Sequence, residues 1–160
     1  MAHEAMIRGL KDNLEVLENL VDSIPESQLS LKRGRCVWSI YEHVNHLALV
    51  QLMLFRRLEL FVKEEKPEIK PYIPDQKSES IRSQNKPIGD LVAIFTKGRA
   101  RQIELIDSCE PDLWSKSASH PEYTLYTFEI LVRHILLHDG FHMYRIEELW
   151  LAKDAYLTEM

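Results

Sequence analysis

The stretch that decides the fold is His134-Ile135-Leu136-Leu137-His138-Asp139-Gly140-Phe141-His142, where histidine recurs every fourth residue inside an apolar run. Positions four apart are neighbours on one face of an α-helix, with Cβ atoms about 5–6 Å apart. At about 100° per residue, Leu131, Ile135, His138, His142 and Leu149 fall within an arc of about 60°. His138 and His142 therefore stand at the centre of the apolar stripe. His134 lies at its edge, nearer Phe141 and Glu148, and Arg133, Gly140 and Glu147 occupy the opposite side. Imidazoles aimed into a core need partners for their ring nitrogens. A metal ion supplies one, at nitrogen distances of about 2.0–2.1 Å. The plain alternative is a pair of core histidines satisfied by hydrogen bonds. Gly140 costs this helix about 1 kcal/mol relative to Ala, which suggests either a close helix approach or a tolerated accident.

Working outward, this helix is expected from about Thr124 to Lys153, and three more precede it. The first carries Ile7, Leu10, Leu14, Leu17, Val21 and Ile24 at alternating three- and four-residue spacing, a seam for packing on another helix, and Pro25 closes it. The second runs from Ser39 to about Lys63. It opens on Ser39-Ile40-Tyr41-Glu42, which reads as a capping box with Glu42 reaching back to Ser39, and its apolar residues lie on almost every side. Residues Glu64 to Pro87 contain Pro67, Pro71, Pro74 and Pro87, which forbid a long helix and imply an extended crossover able to wall a pocket. The third helix should span Ile88 to Ser108, with Leu91, Ile94, Phe95, Leu105 and Ile106 facing the core. Strands are not required, although Tyr123 to Phe128 has β-propensity. Four long helices and one crossover give an all-α four-helix bundle, read as a single domain over residues 1–160.

Composition narrows the function classes. A length of 160 residues suits one core, and 45% hydrophobic with 28% charged residues is ordinary for a soluble protein. No apolar run approaches the roughly 18 residues of a membrane span, and the charged start lacks the form of a secretion signal. A cytoplasmic location and no membrane partner are expected. The net charge of −5, without a basic cluster, argues against nucleic acid. Cys36 and Cys109 form neither a metal-like pair nor a disulfide framework. The zincin pattern requires Glu where Asp139 stands, and di-iron bundles need Glu-x-x-His, which occurs nowhere in the chain.

A further metal ligand has to come from another helix. On the second helix His46 shares a stripe with Glu42, Val50 and Met53, while His43 lies one turn earlier and about 60° round. Spacing alone does not choose between them.

At these residues the chain resembles the DinB/YfiT-like superfamily. Trp38-Ser39-Ile40-Tyr41-Glu42-His43-Val44-Asn45-His46-Leu47 is similar to its Trp-Ser-x-x-Glu-x-x-x-His-Leu signature, and His138-x-x-x-His142 to its second motif. The segment Ile24 to Leu29 belongs to the likeness, which spans nearly the whole chain. The resemblance selects His46 over His43. It implies an up-up-down-down bundle, a site of three histidines (His46, His138 and His142) with open positions, and frequent dimers. Many members carry Gln where Arg145 stands here. A cation at that place would favour anionic substrate groups, or else pair with Glu148 as an exposed residue.

Three protein ligands with vacant positions point to a metal-dependent enzyme acting on a small molecule. The ion is expected to be divalent, zinc or nickel before iron or copper. The family includes transferases that use low-molecular-weight thiols, so an S-transferase is the leading chemistry, with hydrolysis of an ester- or amide-like bond as the alternative and a non-catalytic metal-binding stress protein as a third reading. Arg145, Asp139 and Glu42 are the catalytic candidates, although Asp139 lies well round from the ligand stripe and Glu42 has a sufficient capping role. A homodimer is expected. The second apolar face of the fourth helix, Val132, Leu136, Met143 and Trp150, is either its interface or internal packing.

Overall fold

In the computed structural model the described residues are 2–36, 38–71 and 86–157. Helix α1 spans Ala2–Asp22, a short α2 covers Glu26–Leu29, α3 Ile40–Leu49, α4 Gln51–Lys63, α5 Ile88–Asp107 and α6 Phe128–Leu151. Short 3-10 turns lie at Pro111–Ser115 and Asp154–Tyr156. The expected all-helical four-helix bundle is what the chain forms, with α3 and α4 together as its second helix.

Contacts along the helices fix their directions. Asn13 meets Asp139 and Gly9 meets Leu136, so α1 and α6 run parallel. Lys11 pairs with Asp107 at the far end of α5, so α1 and α5 run antiparallel. Tyr41 reaches Lys86 and Gln102 reaches Gln51, so α3–α4 and α5 run parallel. The order is up-down-down-up, which corrects the up-up-down-down order implied by the resemblance. The physical reason is the position of the long connection. Two consecutive helices can run parallel only if the chain returns the length of the bundle between them, and the crossover after Lys63 makes that return. Its residues 72–85, expected as part of a pocket wall, lie outside the described residues.

The second helix is not continuous. Ser39 caps it as expected, its hydroxyl accepting from the Glu42 N–H and its own N–H donating to the Glu42 carboxylate. A break follows at Val50, where the Gln51 side chain donates to the Leu47 carbonyl at 2.9 Å and enters the backbone ladder. Helix α5 passes so close there that a Cβ on Gly98 would lie 2.5 Å from the Gln51 Cβ. Gly98, rather than Gly140, is the glycine that close packing requires. A Cβ on Gly140 would meet nothing within 4 Å, so the close-approach reading fails there.

Two apolar clusters fill the bundle. One gathers Leu17, Val21, Ile40, Val44, Leu47, Leu91, Phe95, Met143, Ile146 and Leu149 at the Ile24 end. The other joins Leu10, Leu54, Leu58, Phe61, Ile103, Ile106, Phe128, Leu131 and Ile135. On α5, Ile94 is 41% exposed against expectation, while Val92, Arg99, Gln102 and Ile103 are buried. The second apolar face of α6 packs internally: Val132 and Met143 are buried, and Leu136 sits against Gly9, where an added Cβ would lie 3.1 Å from it. Helix α6 begins at Phe128, later than expected, because Thr127 caps it by accepting from the Ile130 N–H. Before it, the β-prone stretch contributes one isolated bridge, Thr127 to Ser117, and a second bridge joins Glu68 to Ser119.

Candidate metal centre

The break at Val50 and the start of α6 set α3 against the middle of α6 in antiparallel fashion. This brings His46 to His138 and His142. Nitrogen atoms of the three imidazoles all lie within 4.8 Å of one another. His46 and His142 are buried and His138 is half-buried. The Nε2 atoms of His46 and His138 are 3.2 Å apart. Two nitrogens bound to one ion at about 2.0–2.1 Å stand about 2.9–3.4 Å apart for octahedral to tetrahedral angles, so this spacing fits shared coordination. His138 Nδ1 is buried with no hydrogen-bond partner among the described residues. His142 turns Nδ1 towards His43 Nδ1 at 2.8 Å, leaving Nε2 as its nitrogen not engaged by His43. His43 is not among the three clustered imidazoles. It is a buried partner that orients His142, the arrangement by which outer groups fix a ligating imidazole.

Electrostatics favour the neutral form, which a metal requires of an imidazole, at His138 and His142. Burial lowers His138 to about 4, helped by His46 and Arg99. Burial and the neighbouring histidines lower His142 to about 2. His43 is lowered to about 4 by burial, then by Arg145 and His46. Trp38 closes one side of the cluster, its ring centre 5.0–5.8 Å from those of His43, His46 and His142. The donor set, its spacing and the lowered pKa values of His138 and His142 all fit one divalent ion at His46, His138 and His142.

A cavity of about 170 Å³ opens from the His46 and His138 side. Val50, Leu54, Leu131 and Ile135 are its apolar walls, and Met53, Arg57, Tyr126 and His134 complete it. His134, set aside from the ligands by helix geometry, is not in the three-histidine cluster but lines this cavity. Burial, then Arg133 and His120, lower its pKa. Burial pushes the Tyr126 phenol up while Arg57 opposes, so Tyr126 stays protonated at neutral pH. Nothing local in the sequence marks Arg57 or Tyr126. Arg57 follows His46 by eleven positions across an interrupted helix, and Tyr126 lies in a loop whose folding is not local.

The three catalytic candidates sit elsewhere. Arg145 is buried at 2% exposure, pairs with Glu148 and donates to Cys36 Sγ at 3.5 Å. It is neither exposed nor among the residues lining the cavity. Glu42 is held by Ser39 and by Lys32. Burial raises its pKa, but the Lys32 and Ser39 hydrogen bonds more than offset this and leave it below the usual range. Asp139, at 0% exposure, accepts from Arg99 Nη2 at 2.7 Å on both oxygens. Arg99 also donates to Gln102, and Gln102 donates to the Gln51 carbonyl at 2.9 Å. Asn13 approaches Asp139 at 3.5 Å. This polar layer ties all four bundle helices together behind the histidines, as the angular offset of Asp139 anticipated.

A four-helix bundle with three imidazoles converging between its second and last helices defines a histidine-centred class of helical protein. The chain belongs to the DinB superfamily, whose model matches residues 10–146. It is 25% identical over 148 residues to the Oceanobacillus iheyensis protein named "Putative metal-dependent hydrolase OB0782", covering 92% of this chain and 86% of that one. Its fold is similar to that of YfiT from Bacillus subtilis, described as "a probable metal-dependent hydrolase with an unusual four-helix bundle topology". That match has a TM-score of 0.80 and 24% identity, over 92% of this chain and 85% of YfiT.

Proposed function

We propose that this chain is a metal-dependent hydrolase of a small ester- or amide-like substrate, with His46, His138 and His142 holding one divalent ion, zinc or nickel. The observation that carries the reading is the convergence of three imidazole nitrogens within 4.8 Å beside a cavity that His46 and His138 themselves line. The hydrolase name of the Oceanobacillus iheyensis relative supports it. When bound, the ion supplies Lewis acidity to a carbonyl and to an attacking water.

The chain's own residues do the rest. His43 fixes the ring of His142, and Trp38 shields three of the histidines on one side. Val50, Leu54, Leu131 and Ile135 exclude bulk water, which strengthens electrostatic interactions within the cavity. Its volume lies below the about 300–1,000 Å³ of drug-sized pockets, so a small acyl group fits best. Asp139, Glu42 and Arg145 act as structural ion-pair and hydrogen-bond partners and touch no substrate.

The test is metal analysis of untagged protein, followed by turnover. One equivalent of zinc or nickel is expected, falling below a tenth in His138→Ala. Loaded protein should hydrolyse small esters and lose that activity with the metal. Conjugation of a low-molecular-weight thiol to an electrophile, with no ester hydrolysis, would replace this reading with the S-transferase. Metal binding without either reaction would leave a non-catalytic protein.

A further inference from the structure

Among the described residues that line the histidine cavity, Arg57 is the cation. Its guanidinium is close enough to Tyr126 to act on the phenol, and among the described residues it has no carboxylate partner. Arg57 Nη2 donates to the Lys70 carbonyl at 2.7 Å, which anchors the side chain and leaves its other N–H donors. Arg57 and Met53 also line a second, outer cleft of about 480 Å³ together with Arg56, Leu60, Glu68 and Lys70. They thus form the partition between that cleft and the cavity that ends at His46 and His138. Arg57 lies eleven positions after His46, on the far side of the break at Val50, and side chains on a helix lean towards its N-terminus, here towards His46. A molecule reaching the histidines from the cleft passes this guanidinium.

We infer that Arg57 binds a carboxylate at the far end of the substrate, so that the substrate class is a small carboxylate-bearing ester or amide rather than a neutral one. The inference rests on the hydrolase reading for the word substrate, but the anion site itself does not. A guanidinium takes a planar carboxylate through parallel N–H donors. With one cationic side chain among the described residues that line it, and mostly apolar walls, the cavity matches a single compact charge.

Two probes of nearly equal size separate the possibilities: monomethyl succinate, which carries one carboxylate, and dimethyl succinate, which carries none. Binding to metal-free protein is measured by calorimetry, so that no carboxylate can be held by the ion. The monoester is expected to bind about tenfold or more tightly than the diester, the span of a charge-assisted hydrogen bond. Arg57→Gln should erase that preference and Arg57→Lys should restore part of it, with circular dichroism and metal stoichiometry unchanged in both. In the loaded protein Arg57→Gln should raise KM for the monoester about tenfold, with a much smaller change in kcat. Equal binding of the two probes, or a preference that survives Arg57→Gln, overturns the inference even if esters are hydrolysed. Preferential binding without hydrolysis of either ester upholds the anion site and removes the hydrolase reading instead.

Discussion

Replacing Asp139 by Asn tests the polar layer behind the histidines. Asp139 and Arg99 are both 0% exposed, and one guanidinium nitrogen donates to both carboxylate oxygens at 2.7 Å. Removing the carboxylate charge leaves Arg99 buried without its counter-ion, and its Nε is already without a partner among the described residues. Breaking one side of a buried pair costs about 3–5 kcal/mol. For a chain of this size that lowers the melting midpoint by about 10–15 °C. Urea unfolding should show a lower midpoint at an unchanged slope. The double variant Asp139→Leu with Arg99→Met removes both charges, and more than half of the lost stability should return. The metal equivalent should remain in both variants, because Asp139 is bound to Arg99 and is not among the three clustered imidazoles. A stability loss under about 1 kcal/mol, together with loss of hydrolysis in folded, metal-loaded Asp139→Asn, would refute the structural assignment and make Asp139 a proton-transfer group.

Further outcomes follow from the same geometry. His43→Phe should weaken metal affinity about 10–100-fold without abolishing binding, whereas His46→Ala, His138→Ala or His142→Ala should abolish stoichiometric binding; equilibrium titration with a metal indicator checks both. Metal-free protein should lose stability as pH falls. His43 and His138 are lowered from 6.5 to about 4, and His142 to about 2, so below pH 6.5 the unfolded chain takes up protons that the native state refuses. The contribution of these three imidazoles is therefore full above pH 6.5 and declines towards pH 4; Asp139, raised from 3.8 to about 6, opposes it with a single proton, and urea midpoints at pH 7.5, 6 and 5 should still show a net fall. Gly98→Ala should destabilise by about 1–2 kcal/mol through the clash with Gln51, while Gly140→Ala, facing open space, should stabilise by about 0.5–1 kcal/mol. Opposite signs in thermal melts are the expected result.

The all-helical class, the capping of the second helix by Ser39 and Glu42, and the inward aim of His138 and His142 were all legible from residue spacing. These features are local: a helix repeats every 3.6 residues, and that period alone assigns a side chain to a face. The choice of His46 needed family likeness, because rotation about the second helix is set by its neighbours and not by its own sequence. Only tertiary structure gave His43 its place behind His142, since that depends on how α3 crosses α6. The same holds for Arg145, which the sequence left either as a cation for anionic substrate groups or as an exposed partner of Glu148, and which packing buries against Cys36 with Glu148 still its partner. Ile94 sits at the surface while Arg99 and Gln102 are buried, because α5 must approach Gln51 and complete a polar layer that no hydrophobic period announces. The cavity is the clearest case. Arg57 and Tyr126 have no local signal, and they meet His46 and His138 only because the antiparallel pairing of α3–α4 with α6 brings distant segments together. Sequence periodicity determined which histidines face inward; the crossing of the helices decided what they face.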